Sequence, residues 1–180
     1  IPQDYWLFLG TFEPRKNISG LLDAYRLLRD QISDAPPLLL VGTRGWLYEE
    51  TLAKIDTLHL NQHVRLIENT PSEALPVIYN QAIAVVTPSF YEGFGLPALE
   101  GMACGTVPIV SNRSSLPEVV GDVGLQVEPE NPGQIAAAML KAYQDTAWRK
   151  EQIEAGLKRA ATFIWEEVAR ISMKVYEAVA

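Results

Sequence analysis

Short apolar runs alternate with longer amphipathic stretches along nearly the whole chain. The runs at 5–10, 38–41, 64–67, 82–86, 107–110 and 124–127 each predict a strand. Ala82-Ile83-Ala84-Val85-Val86 has the unbroken hydrophobicity of a strand buried on both faces. After the first run, Ile18, Leu21, Leu22, Tyr25, Leu28 and Ile32 recur at i, i+3, i+4 spacing, which marks a helix with one covered face. Pro36-Pro37 then stops the chain before the second strand. Further helices are expected over about 48–58, 98–104, 116–120, 132–143 and 147–161, with a last one from Trp165. Thr70-Pro71-Ser72-Glu73 matches a capping box for the helix after the third strand, while Pro76 moves its start nearer Leu75. This alternation implies an α/β fold, a parallel sheet of about six strands with helices on both faces. No repeat, low-complexity tract or linker interrupts it, so residues 1–180 are expected to form one domain.

Composition narrows the partners more than the fold. With 180 residues, 48% hydrophobic and 21% charged, the chain has enough interior for one substantial core. A formal net charge of -7 argues against nucleic acid as a main partner and leaves any phosphate to a few local cations. The single cysteine, Cys104, excludes an internal disulfide and a cysteine-built metal site, and is expected to be a small buried residue. His59 and His63 stand four apart without a supporting carboxylate, so they suggest structural or surface roles rather than a metal. No run of about 18 apolar residues occurs, so no membrane-spanning helix is expected. The chain opens without an initiator methionine and goes straight into strand-like residues, with no signal peptide; it is expected to be a piece of a longer protein.

The stretch with most chemistry follows the fourth strand. Glu92 and Glu100 stand eight positions apart, and between them lies Gly93-Phe94-Gly95-Leu96-Pro97. Two glycines free to take positive φ and a proline suited to a first helical turn predict strand, tight loop and helix. In open α/β sheets the carboxyl edge is where ligands bind, and a helix start offers unpaired N–H groups to an anion. From the loop, Glu92 can accept hydrogen bonds from hydroxyls or balance developing positive charge. Glu100, expected in about the first turn of the helix, can accept from a vicinal diol such as a ribose. An acidic residue in a first turn is also favoured by the helix dipole alone.

A second candidate, Gly10-Thr11-Phe12-Glu13-Pro14-Arg15-Lys16-Asn17, ends the first strand. Arg15 and Lys16 fall beside the next helix N-terminus, where cations oppose the dipole unless an anion sits between. Such a conflict with a local rule fits a functional site, and a solvated basic pair is the plainer alternative. Among competing motifs, neither Gly-x-Gly-x-x-Gly after the first strand nor Gly-x4-Gly-Lys-Ser/Thr is present. Nicotinamide, flavin and P-loop nucleotide chemistry therefore lose their main support.

With Pro88-Ser89 before them and Met102-Ala103-x-Gly105 after, Glu92, Glu100 and the intervening Gly-Phe-Gly-Leu-Pro resemble the E-x7-E signature of the retaining glycosyltransferases of family four. The resemblance runs over nearly the whole chain. It implies the C-terminal, donor-binding, Rossmann-like half of the two-domain GT-B architecture. It further implies transfer of a hexose from a UDP- or GDP-linked donor to a glycan or lipid-linked acceptor, which the missing N-terminal domain would bind. Arg15 and Lys16 match the diphosphate loop, with Lys16 at the phosphate-contacting lysine and Thr11 where the family often has arginine. Glu92 is implied at the donor sugar and its transition state, Glu100 at the ribose, and the backbone from Gly93 through Phe94, Gly95 and Leu96 at the diphosphate. Gly42 and the loop beginning at Ile67 would border the base, with Trp46 nearby, while Glu118 after Leu116-Pro117 looks structural. No Asp-x-Asp occurs, which favours metal-free transfer and no cofactor. The resemblance implies a cytoplasmic location or one at the inner face of the membrane through the missing half. In such enzymes the C-terminal helix crosses onto the partner domain; the stripe Trp165, Val168, Ile171, Val175 and Val179 equally fits packing on the chain's own sheet. A non-catalytic nucleotide-sugar module and a sugar-nucleotide epimerase of the same architecture are the alternatives, and the isolated half is expected to be inactive.

Overall fold

The computed structural model describes residues 4–46 and 48–179. Strands β1 (Tyr5–Leu9), β2 (Leu38–Gly42), β3 (Val64–Glu68), β4 (Ala82–Thr87), β5 (Val107–Ser111) and β6 (Leu125–Val127) form one sheet in the order β3-β2-β1-β4-β5-β6. Every neighbouring pair is parallel. All six expected strands are present, each end within one residue of the apolar run that predicted it. The helices are α1 (Ile18–Arg29), α2 (Tyr48–Thr57), α3 (Leu75–Asn80), α4 (Leu96–Ala103), α5 (Leu116–Val120), α6 (Pro132–Gln144), α7 (Thr146–Ala160) and α8 (Trp165–Val179).

Period-two alternation sorts the strand residues between the two faces. Trp6 and Phe8 of β1 pack with Leu21 and Tyr25 of α1 and with Ile135 and Met139 of α6. Tyr5 and Leu7 face the opposite side, with Ile78 and Tyr79 of α3 and Val85 of β4. Met102, Leu116, Val120 and Ala160 bring α4, α5 and α7 together over β5. Each such side chain, fully buried, contributes about 1.5–3 kcal/mol. Strand order reverses at β1, which lies between β2 and β4, so the carboxyl ends of β1 and β4 open into a crevice. The β1 and β2 ends come close enough there that a Cβ on Gly42 would lie 1.8 Å from the carbonyl oxygen of Gly10, so only glycine fits.

Four local expectations fail for identifiable reasons. The capping box does not form, because a 3-10 turn, Ser72–Ala74, intervenes before α3 and neither element carries a side-chain cap. Thr70 Oγ1 is left buried without a partner. Pro76, by contrast, meets its expectation: α3 starts at Leu75 and Pro76 falls in its first turn, where its missing N–H costs nothing. The stripe of α1 runs past the helix: Ile32 lies beyond Arg29 yet still packs on the core. Cys104 is half-buried rather than buried, with its thiol pushed up by desolvation and then by the charge of Glu100. No residue of α8 is buried, and Trp165 is 84% exposed, so its apolar stripe does not pack on the sheet.

Candidate functional site

Seven polar or charged residues are buried among the described residues: Lys16, Asn17, Thr87, Ser89, Glu92, Thr106 and Ser111. Five of them form one cluster at the β1/β4 crevice. Lys16 Nζ donates to Glu92 Oε1 at 2.7 Å and to Oε2 at 2.8 Å. Ser89 Oγ donates to Oε1 at 2.7 Å, while Ser111 Oγ holds the Ser89 carbonyl at 2.6 Å. Asn17 Nδ2 donates to the carbonyls of Pro88 at 3.0 Å and Pro129 at 2.7 Å, pinning the β1 loop across the ends of β4 and β6. Burial of this much polarity is tolerable only because nearly every group has a partner.

The local fold explains how the loop reaches that place. Pro14–Lys16 is a 3-10 turn, and Asn17 leaves it in the left-handed region at φ 55°. Asn is among the few side chains that tolerate this conformation, and its Oδ1 then caps α1 by accepting from Gly20 N at 3.1 Å. The anion required between Arg15, Lys16 and the helix start is therefore the protein's own Glu92. Arg15 reaches the same carboxylate more loosely, at 3.4 Å from Oε2, and its Nε is held by Glu13 at 2.8 Å. Arg15 is 45% exposed in its side chain, Lys16 10% and Glu92 6%.

The second loop is shaped by Gly95, which sits at the N-cap of α4 with φ 100°. Gly93 does not take positive φ. Among the described residues no protein acceptor takes the backbone N–H of Gly93, Phe94 or Gly95, and Leu96 begins the helix with its N–H outside the ladder. Ser114 Oγ accepts from Glu92 N at 2.9 Å, and Ser115 Oγ donates to the carbonyls of Glu92 at 3.1 Å and Phe94 at 2.8 Å. Phe94 packs edge-on against Phe163 with ring centres 6.0 Å apart. Arg159 lies over that ring and holds the carbonyls of Glu118 and Val119, so Glu118 serves through its backbone.

Glu100 is the fifth residue of α4 and lies in its second turn, so a first-turn dipole preference does not account for it. It is half-buried, and Tyr79 Oη donates to its Oε2 at 2.7 Å. Gly42 ends β2 at the crevice rim. Ile67 is not in a loop: it pairs with Val41 inside β3 and packs under the sheet near Leu39. At the same sheet edge, Arg44 Nε donates to Glu68 Oε1 at 2.9 Å and Tyr48 Oη to the same oxygen at 2.9 Å. Hydrogen bonds from Arg44 and then Tyr48 hold the Glu68 carboxyl below the ordinary carboxylate range. Trp46 beside them is 67% exposed.

Geometry thus unites Arg15, Lys16, Glu92 and the Gly93–Leu96 backbone, with Glu100 on the following helix and Gly42 at the rim. Asn17, Ser89, Ser114, Ser115 and Tyr79 complete the arrangement without having been assigned roles from sequence. Only Asn17 carried a signal, as a cap-type residue directly before an apolar helix stripe. A cavity of about 430 Å³ adjoins the β1 loop, lined by Phe12, Pro14, Asn17, Lys54 and Phe90 among others, but neither glutamate reaches it.

Residues 2–159 match the family model of glycosyl transferases group 1. O-antigen chain mannosyltransferase B of Escherichia coli is 43% identical over 97% of this chain, which spans 46% of that enzyme's length. Sucrose-phosphate synthase from Thermosynechococcus elongatus superposes with a TM-score of 0.85 at 29% identity, over 99% of this chain and 46% of the other. The C-terminal domain of a group 1 family glycosyl transferase, LpcC, from Francisella tularensis superposes with a TM-score of 0.79 at 26% identity, over 90% and 87%.

Proposed function

Because this chain belongs to the group 1 glycosyltransferases, as the C-terminal Rossmann-like half of their GT-B architecture, we propose that it holds the donor for a retaining hexosyl transfer. The observation that carries the reading is the buried Lys16–Glu92 pair, set against a row of free N–H groups at the start of α4. The sugar proposed is mannose, in line with the E. coli mannosyltransferase, carried on GDP or UDP and passed to a glycan or lipid-linked acceptor.

Arg15, the third proton of Lys16 and the N–H groups of Gly93 to Leu96 would face the donor diphosphate. Charge-assisted hydrogen bonds of this kind contribute about 1.5–3 kcal/mol each. As the bond from the anomeric carbon to the diphosphate oxygen breaks, the acceptor hydroxyl oxygen bonds to that carbon from the same face. Its proton passes to the departing phosphate oxygen. Glu92, held in direction by Lys16 and Ser89, would stabilise positive charge on the sugar and accept from its hydroxyls. Protein cations and amides then perform the charge neutralisation that a bridging metal performs elsewhere, so transfer is proposed to need no metal. Glu100 would accept from the ribose hydroxyls, and Gly42 would border the base.

The acceptor, and the wall that closes the crevice, would come from the remainder of the protein, so residues 1–180 alone are expected to bind donor without turning it over. The setting proposed is the cytoplasm or the inner face of a membrane; no helix of the described residues is long and apolar enough to cross one. Calorimetric titration of the intact protein with GDP-mannose and UDP-glucose in chelator tests the reading. One nucleotide sugar should bind, about tenfold more weakly after Lys16→Ala, the loss expected for one charge-assisted bond. Binding that requires a divalent ion, or binding untouched by that substitution, would refute the assignment.

A further inference from the structure

Glu100 has a partner that the reading above does not use. Tyr79, the fifth residue of α3, is 1% exposed and packs in the core cluster with Tyr5, Leu7 and Val85. Its backbone is held as well, since Thr106 Oγ1 donates to the Tyr79 carbonyl. The ring can therefore barely shift, and its hydroxyl emerges from the core at one point, 2.7 Å from Glu100 Oε2. Burial first, and the nearby Glu100 charge second, push the Tyr79 phenol far above its ordinary range, so it remains a donor at any physiological pH. Glu100 Oε1, by contrast, takes no hydrogen bond among the described residues.

One oxygen is thus tied to the core and the other is left for a ligand. On the reading that Glu100 holds the ribose, we infer that Tyr79 is a positioning residue, which fixes the Glu100 rotamer so that the carboxylate meets both hydroxyls of the nucleotide's ribose. A long, half-exposed glutamate otherwise loses rotamer freedom when it binds, a cost that a preset geometry removes.

The test measures affinities of the intact protein for GDP and UDP, each against its 2′,3′-dideoxy form. The preferred nucleotide should bind about tenfold or more tightly than its dideoxy form, because hydrogen bonds to a charged acceptor are lost with the hydroxyls. Tyr79→Phe should narrow that gap to about threefold while leaving dideoxy binding unchanged, and Glu100→Gln should narrow it as far whether or not Tyr79 is also replaced. A merely structural role for Tyr79 would weaken both forms alike, and that outcome overturns the inference. If the protein binds ribose and dideoxyribose forms equally, the ribose role of Glu100 falls and the inference with it. A full gap surviving in Tyr79→Phe removes Tyr79 alone. Should the phenylalanine variant fail to fold, 3-fluorotyrosine at position 79 keeps the ring. Its ¹⁹F resonance should move with GDP or UDP and not with the dideoxy form, and equal responses would refute the assignment.

Discussion

Glu92 and Glu100 are the same residue type, eight positions apart and flanking one loop, yet the fold gives them opposite surroundings. Glu92 is 6% exposed and takes donors on both oxygens from a lysine, an arginine and a serine. Glu100 is half-buried and takes one, from a neutral phenol. The first is a fixed charge inside the protein's own ion network; the second is an acceptor with an oxygen to spare. Spacing in the sequence therefore locates the pair but does not distribute the work between them. What distributes it is the β1 loop, which delivers Lys16 to one carboxylate and leaves the other beyond its reach.

The strongest way to break this contrast is to remove one partner of the buried pair. Glu92→Ala strands Lys16, 8% exposed, without an anion, and should cost about 3–5 kcal/mol of unfolding free energy in urea titration. Replacing both, as Glu92→Leu with Lys16→Met, should recover most of that stability, since a dry apolar pair dispenses with the desolvation of two charges. Transfer by the intact protein should be lost in single and double variants alike. Stability lost and regained with activity lost throughout would separate the structural from the chemical role. Equal stability of Glu92→Ala and the unaltered protein would mean that the pair is not closed in solution.

Gly95 tests whether the loop sets the relation between the two carboxylates. A Cβ there would meet Leu116 Cδ2 at 2.6 Å and would have to accept φ 100°, so Gly95→Ala should cost about 1–3 kcal/mol and tilt the start of α4. Gly93→Ala is the internal control: nothing lies within 4 Å of its Cβ, and the change should stay within about 0.5 kcal/mol. Nucleotide affinity should fall for Gly95→Ala and hold for Gly93→Ala. If both glycines behave alike, the loop is not what aims Glu100.

The sheet was legible because the strands are short, mainly apolar runs, several of them bounded by Gly, Pro or charge, a signal that needs no knowledge of the rest of the fold. The loop from Glu92 to Leu96 was legible for the same local reason. What escaped depended on partners distant in sequence. Nothing near position 79 announces a bond to position 100, and Ser114 and Ser115 look like ordinary turn residues until α5 brings them under Glu92. Local rules also misled when a tertiary feature outweighed them. The residues of a capping box at Thr70 were present, yet the 3-10 turn displaced the helix start. The stripe on α8 resembles that on α1, but α1 meets α6 and the sheet while α8 meets neither, and a stripe alone does not say what covers it.

The smallest effect concerns a third carboxylate, Glu68, which is paired like Glu92 but lies nearer solvent. Glu68 is bridged by Arg44 and Tyr48 at the rim, with the Glu68 side chain 27% exposed and that of Arg44 64%, so solvent screens its bonds more than those of Glu92. Arg44 chiefly, and Tyr48 after it, hold its folded-state pKa below the ordinary value of 4.5. A depressed carboxylate contributes stability that is complete above the unfolded pKa and disappears as pH falls through the folded one. The melting temperature of Glu68→Gln should therefore lie slightly below that of the unaltered protein at pH 7, and the difference should close as pH drops below about 4.5. Added salt should shrink the same difference at pH 7, whereas the Glu92 variants should barely respond to it, because a Debye length of about 8 Å screens a rim charge and not a buried one. A Glu68 difference that persists at acid pH would show that the residue acts through packing rather than charge, and its contrast with the buried Glu92 pair would fail.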